Sequence, residues 1–136
     1  MTHPDVPEAV LARLRLTCLD LPEAQEERAW VGTRWVVRKK NFAHVLMIAA
    51  GWPPAYAKAA GRDGPLCVLT FRAAMPTAQA PRFRRAPFFA PPWFPNLVGL
   101  VLDASTDWYE VAALVTKSYC VLAPKQLAAR VALDGE

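Results

Sequence analysis

The sequence lacks the cysteine and histidine patterns of a disulfide framework, a zinc site or a nucleophilic enzyme. Its three cysteines, Cys18, Cys67 and Cys120, lie about fifty residues apart among apolar neighbours and form no Cys-x-x-Cys pair. We expect three reduced thiols in the core. His44 is the only internal histidine and stands in an apolar, strand-like segment, which favours a structural role. Without a phosphate-binding loop or nucleophile elbow, the sequence predicts a protein that is not an enzyme and uses no metal or cofactor.

Long apolar runs are missing as well. The longest, such as residues 45–50, is far too short to cross a bilayer, and the first residues lack the basic-then-apolar order of a signal peptide. With 136 residues and 54% hydrophobic composition, the chain is large enough for one domain with a real core. We expect a single domain over residues 1–136, monomeric, cytoplasmic and without membrane contact.

Acidic residues are almost absent from the middle of the chain. Residues 28–85 contain eleven of the sixteen basic residues and one acid, Asp63, so this segment carries 11 − 1 = +10. The flanks are acidic, with two bases and six acids in residues 1–27, and three bases and five acids in residues 86–136. This segregation predicts one positive face and a polyanionic partner.

The spacing of apolar residues and breakers predicts an α+β fold. A helix is expected after a cap at Asp5, with Pro22 as its stop, and Asp107 is expected to cap a second helix with Ser118-Tyr119 on its packed side. Between them, strand-like segments cover residues 27–49, 66–72 and 97–103, with a basic hairpin turn at 38–41. The expected architecture is a mostly antiparallel sheet of about five strands, with the N- and C-terminal helices packed on one face.

A proline-rich segment interrupts this pattern. Residues 76–95 contain six of the thirteen prolines, too many for a helix or a central strand, which predicts a long irregular excursion over the surface. Its aromatic residues, together with Trp52 and Tyr56, fit either of two roles: stacking on exposed bases, or a minor core that pins the loop to the sheet. The minor core is the favoured interpretation, and Trp30, Trp35 and Trp108 are expected to be packing residues.

Two segments together carry a resemblance to a known family. The first comprises Cys18-Leu-Asp-Leu-Pro-Glu23, Glu26-Glu27, Trp30, Gly32, Val37, Lys40 and Phe42-Ala43; the second comprises Asp103, Asp107-Trp108, Val111, Ser118-Tyr119 and Ala123-Pro-Lys125. This ordered set resembles the MmcQ/YjbR family of small bacterial proteins. The resemblance implies a CyaY-like α+β fold whose open sheet face is likened to a double-wing DNA-binding module. Here Arg38 and Lys39 stand where that family is usually glycine-rich, and Leu97 stands where it usually has tryptophan.

The basic residues and the resemblance together predict DNA binding without catalysis. The sheet face and its hairpin are expected to contact the phosphate backbone, with the loop arginines extending the surface. The candidate contact residues are Arg34, Arg38, Lys39, Lys40, Arg72, Arg82, Arg84 and Arg85.

Other interpretations remain open. The bases can be an ordinary solvated face, or the partner can be an acidic protein or an anionic ligand, with loop 86–97 as the contact surface. Glu23, Glu26 and Glu27 form a short acidic patch, for which a solvated helix end is a simpler account than a metal site.

Overall fold

The part of the chain that the structure describes begins with a helix, continues through six strands interrupted by one short helix, and ends with two helices. The computed structural model describes residues 3–134, with side chains described as far as residue 131. The elements are α1 (Glu8–Cys18), β1 (Gln25–Arg28), β2 (Thr33–Val37), β3 (Lys40–Ile48), α2 (Pro54–Ala60), β4 (Leu66–Arg72), β5 (Phe88–Phe89), β6 (Leu97–Leu102), α3 (Trp108–Leu122) and α4 (Lys125–Asp134). Two short 3₁₀ turns, Thr77–Gln79 and Pro81–Arg84, lie within the proline-rich segment.

The strands form one sheet of six, in the order β1-β2-β3-β4-β6-β5, and every neighbouring pair is antiparallel. The predicted α+β class is confirmed. The strand number differs from the expected five because two edge strands have weak sequence signals. All four residues of β1 are exposed and polar, and β5 is two residues long in the proline-rich segment. Neither shows the alternation by which strands are recognised.

The larger core lies between one sheet face and the helices α1, α3 and α4. Trp35, Phe42 and Tyr119 are fully buried there, and Phe42 and Tyr119 meet edge to face at 5.4 Å. The Tyr119 hydroxyl donates to the Pro22 carbonyl at 2.6 Å, which ties α3 to the segment after α1. Burial of these aromatic rings and of the aliphatic side chains around them supplies most of the driving force for this packing.

The helix boundaries confirm one predicted cap and correct the other. Asp107 caps α3, since its carboxylate accepts from the Tyr109 and Glu110 amides. In contrast, α1 begins at Glu8 after Pro7, without any side-chain cap, so the expected Asp5 cap is wrong. This helix also ends at Cys18, before the expected stop at Pro22.

Ser118 anchors α3 to the sheet, as predicted for the Ser-Tyr pair. Its hydroxyl donates to the Phe42 carbonyl at 2.6 Å and accepts from the Arg72 amide at 2.8 Å. One further step in the β3–β4 register, which ends with Ala43 opposite Phe71, would place Phe42 opposite Arg72. The hydroxyl therefore links the two strands at this point from the helix side, and both backbone groups are satisfied.

The opposite sheet face is partly covered by α2. Tyr56 and Ala57 of this helix pack with Leu46, Ile48 and Val68 in a second, smaller core. The expectation that helices cover only one face is therefore incomplete. The Gly-Trp-Pro-Pro segment before α2 looks like a break in the sequence, yet Pro54 takes the first helical position, where its missing amide is harmless.

Gly99 permits a close approach on this second face. A Cβ atom at Gly99 would lie 2.3 Å from the Phe89 ring, so only glycine lets that ring rest on β6. Within residues 3–134, no helix combines the length and apolar character that spanning a membrane requires.

Candidate functional site

A small cup lies on the sheet face that carries α2. It has a volume of about 180 Å³ and combines polar, basic and aromatic side chains. Its main lining residues are Trp30, Arg34, Asn41, His44, Tyr56, Thr70, Arg72, Trp93 and Phe94. We refer to this set as the cup.

The floor of the cup is formed by Asn41, His44 and Thr70, and the last two belong to a row of paired residues that runs across the sheet. Arg34 pairs with His44 in the strand register, His44 pairs with Thr70, and Thr70 pairs with Gly99. His44 and Thr70 are only 5% and 4% exposed. Because alternate residues of a strand share one face, the row continues into the apolar second core at Leu46 and Val68. On this face, polar groups thus occupy the sheet directly beside the apolar second core.

The hydrogen bond of His44 to the backbone indicates which ring nitrogen carries a proton. Its Nε2 lies 2.7 Å from the Val31 carbonyl, which can only accept, so Nε2 carries a proton. Burial is the main influence that lowers the pKa of His44, and the charge of Arg34 adds to it. The neutral ring therefore presents Nδ1 as an acceptor, with the Tyr56 hydroxyl at a distant 3.4 Å. The expected structural role of His44 is confirmed by its bond to Val31, and the same ring also lines the cup.

Arg72 is the unusual charge of the cup. Its guanidinium stacks over the Phe94 ring at 4.2 Å and donates to the Asn96 side-chain oxygen at 2.8 Å. No carboxylate lies within ion-pair distance of it among the side chains that the structure describes. Burial lowers the pKa of Arg72 from its ordinary value. The loop before β6 thus holds a half-buried cation in one position without neutralising it.

Aromatic side chains form the rim of the cup. Trp30 is 70% exposed, Trp93 38% and Phe94 47%, and Trp93 packs edge to face on Tyr56 at 5.0 Å. Trp30 also contacts Trp52, itself exposed, at 5.7 Å. The expectation that Trp30 is a packing residue is wrong, because it stands in the β1–β2 connection, outside the core.

The other aromatic residues of the proline-rich segment are core residues, as expected. Phe83, Phe88 and Phe89 are buried, and Phe83 and Phe88 meet edge to face at 5.0 Å. They pin the excursion to the sheet, so the predicted minor core is present.

The eight predicted contact residues are distributed over several parts of the molecule. Arg34 and Arg72 line the cup. Three of the eight are in ion pairs: Arg34 with Glu27, Arg38 with Glu23 and Arg82 with Glu110. These pairs are exposed, so each stabilises the fold only weakly and a phosphate can compete for the arginine. The sequence count of charges did not reveal this pairing.

The hairpin turn between β2 and β3 has two residues, Arg38 and Lys39, because Val37 pairs with Lys40. Both have positive φ, 49° and 69°, as a type I′ turn requires. Glycine or asparagine is usual at such positions, so two basic residues occupy a costly conformation. The Lys39 and Lys40 ammonium groups have no carboxylate within ion-pair distance among the described side chains.

Contrary to the prediction, Arg82 does not extend the cup face. Arg82 lies on the helix side of the sheet, where it pairs with Glu110 of α3 and stacks over Phe83 at 4.7 Å. Arg84 and Arg85 are exposed next to it. A run of three arginines in a loop contains no signal for the side of the sheet on which it lies.

The acidic patch is engaged in ion pairs. Glu23 and Glu27 pair with the arginines of β2 and its turn, and Glu26 accepts two bonds from Arg15 and one from the Trp35 indole. The hydrogen bond from Arg15 is the main cause that lowers the pKa of Glu26. Within residues 3–134, no group of three or more metal-ligating side chains comes together.

The cysteines are core thiols. Cys18 and Cys67 are buried, as expected, and Cys120 is half-buried. Burial raises the pKa of Cys67 to about 12 and raises those of the other two. A protonated thiol is a poor nucleophile, so these positions do not have the environment of an activated cysteine.

Comparisons with known proteins support the fold. No family model and no curated protein matches the chain. A crystal structure of a protein from Pseudomonas syringae, a structural genomics target, is similar, with a TM-score of 0.57 and 13% identity. The match covers 83% of this chain and 96% of that chain. At this identity the likeness concerns the fold alone, and the resemblance to the MmcQ/YjbR family stays a prediction.

Proposed function

We propose that the protein is a non-enzymatic, cytoplasmic DNA-binding protein of the MmcQ/YjbR type that uses the cup face and the adjoining hairpin. Arg72 and Arg34 in the cup, with Lys39 and Lys40 at the hairpin, are the phosphate contacts. This surface is smaller than the eight residues that the sequence suggests. Arg38 is bound bidentately by Glu23, and Arg82 pairs with Glu110 on the helix side, with Arg84 and Arg85 beside it along the chain.

The observation that carries the proposal is the state of Arg72. A half-buried guanidinium with no carboxylate beside it is costly, since burial disfavours the charged form. Phe94 and Asn96 nevertheless hold it in place at an open cup. A cation that is positioned but not neutralised is the arrangement expected where an external anion completes the site.

The hairpin supports the same proposal. Asn41 of the cup follows Lys40 directly, so the turn lies at the end of the strand that forms the cup floor. Lysine side chains on a protruding turn reach the backbone of a nucleic acid from outside the cup. Contacts of this kind are electrostatic and largely independent of sequence.

The test is fluorescence anisotropy with short duplex and single-stranded DNA at low and moderate salt. We expect binding at low salt that weakens steeply as salt rises, because phosphate contacts release counterions. The double substitution Lys39→Gln with Lys40→Gln is expected to weaken binding and to lower the salt slope by about 2.

A matched control removes two lysines from the helices instead, Lys117→Gln with Lys125→Gln. It changes the net charge equally but acts on α3 and α4. Equal losses in the two double variants would show that binding depends on net charge and not on the hairpin. Absence of binding by the unmodified protein at low salt would refute the proposal.

A protein partner at loop 86–97 is the second candidate, favoured by the exposure of Trp93 and Phe94. Exposed aromatic residues beside arginine are typical of protein interfaces. The candidate partner is an acidic protein, because the positive charge of Arg72 stacks on the exposed Phe94 ring and would attract a carboxylate of the partner. Under this alternative, a labelled polyglutamate peptide would bind the protein in the anisotropy assay. Binding of polyglutamate but not of DNA would favour the protein partner.

A further inference from the structure

We propose that the cup receives one unstacked base of single-stranded nucleic acid, while the adjoining phosphate pairs with Arg72. The inference rests on the proposed nucleic-acid binding. It adds that the protein prefers single strands to duplexes, and it names the contact that would produce this preference. The base would lie against Trp93, with its polar edge towards the floor formed by Asn41, His44 and Thr70.

The first argument is the chemistry of the floor. Neither the Thr70 hydroxyl nor the Asn41 amide has a hydrogen-bond partner among the side chains that the structure describes, and the neutral Nδ1 acceptor of His44 has only a long contact of 3.4 Å with the Tyr56 hydroxyl. A phosphate can only accept, so it would use the donors and be repelled by Nδ1. A base edge carries donors and acceptors together and matches a floor that offers both.

The second argument is the shape and lining of the walls. Trp93, Tyr56 and Phe94 give the cup aromatic sides, and the Arg72 guanidinium is a further flat surface over Phe94. Aromatic rings and guanidinium planes stack on every base, whatever its identity. Simple anion sites do not need such walls.

The third argument is depth. His44 and Thr70 are more than nine-tenths buried, yet both line the cup, so only a group that enters the recess can reach them. A base in a duplex must first leave its stack and its partner, which is costly. In a single strand the base has no pairing partner to leave and this cost is smallest, so the cup favours single strands over duplexes.

The experiment compares three labelled probes by anisotropy: a short oligothymidylate, an abasic oligodeoxyribose phosphate of the same length, and a duplex of that length. We expect the oligothymidylate to bind at least about fivefold more tightly than the abasic strand, the lower end of the range for stacking one base. The duplex is expected to bind no better than the abasic strand.

Two variants locate the effect. Trp93→Ala and Thr70→Val are each expected to reduce the preference for bases while leaving the affinity for the abasic strand unchanged. Thr70→Val keeps the side-chain shape and removes only the hydroxyl, so it tests the floor even if Trp93→Ala fails to fold. Tyr109→Ala is the control, because it removes an exposed aromatic side chain of α3 that lies outside the cup lining.

The outcomes separate the two proposals. Equal binding of the oligothymidylate and the abasic strand, or a preference for duplex, would overturn base insertion and leave phosphate binding intact. An unchanged preference for bases in Thr70→Val would overturn the contact at the floor. If none of the three probes binds at low salt, both the proposed function and this inference are wrong.

Discussion

The two faces of the sheet differ in polarity and in how completely helices cover them. The face under α1 and α3 is sealed and apolar, and its buried polar residue, Ser118, is satisfied by two backbone groups. The face under α2 is apolar at one end, whereas its centre contains His44, Thr70 and Arg72 around an open cup. The same strands supply both faces, so the difference lies in alternate residues of β3 and β4.

The polar residues on the α2 face indicate that this part of the sheet is not optimised for stability alone. Polar side chains in the middle of a sheet cost stability unless they are hydrogen-bonded, and apolar residues at the same positions would extend the second core. In contrast, every alternate residue that faces α3 from β4 is apolar, from Cys67 to Phe71. The cup is therefore the part of the sheet whose composition packing does not explain.

The largest expected difference between the faces concerns their tryptophans. Trp35→Ala removes a fully buried ring and is expected to lower the free energy of unfolding by about 3–5 kcal/mol. Trp93→Ala removes a partly exposed ring and its contact with Tyr56, with an expected loss of about 1 kcal/mol. Urea denaturation followed by circular dichroism measures both. Similar losses would mean that the cup rim belongs to the core.

The second comparison concerns buried hydroxyls. Ser118→Ala leaves the Arg72 amide and the Phe42 carbonyl without their partner and is expected to cost about 1–3 kcal/mol. Thr70→Val removes a hydroxyl without a described partner and is expected to leave stability unchanged or to raise it slightly. The same denaturation measurement applies, with Thr77→Ala, at an exposed position, as a reference within about 0.5 kcal/mol of the unmodified protein. A costly Thr70→Val would show that this hydroxyl is structural.

The third prediction concerns pH and His44. Burial lowers its pKa in the folded state, so between that lowered pKa and about 6.5 the unfolded chain binds a proton that the folded chain does not. Stability is therefore expected to fall as pH decreases through this window, and to be fully present above it. His44→Gln, which can still donate to the Val31 carbonyl, is expected to reduce the slope. Urea denaturation midpoints between pH 7.5 and 5.5 measure the dependence of stability on pH. An equal dependence in the unmodified protein and in His44→Gln would contradict the burial argument.

The smallest expected effect distinguishes strain from charge at the hairpin. Lys39→Gly relieves a positive φ of 69° and is expected to raise the free energy of unfolding by about 0.5 kcal/mol. Lys40→Gly removes the same charge from a regular strand position and is expected to lower it by about 0.5–1 kcal/mol. Thermal melts measure the stabilities, and anisotropy is expected to show equal losses of DNA affinity. A loss of stability in the Lys39→Gly protein would mean that the turn is not strained.

Local patterns predicted the parts of the fold that depend on local contacts. Asp107 caps α3 because a carboxylate can reach amides two and three residues further along the chain. Ser118 and Tyr119 face the sheet because helical spacing puts them on the apolar side of α3. These features need only neighbours along the chain, so spacing and residue type suffice to recognise them.

The sequence by itself determined the α+β class, the burial of Cys18 and Cys67 and the basic character of the middle segment. Only the tertiary structure decided how that charge is used, because ion pairs and sheet faces join residues that are distant along the chain. Glu23 neutralises Arg38, Glu110 holds Arg82 on the helix side, and loop residues 94 and 96 position Arg72. The cup arises from the pairing of β2, β3 and β4 with a distant loop, which no local pattern encodes.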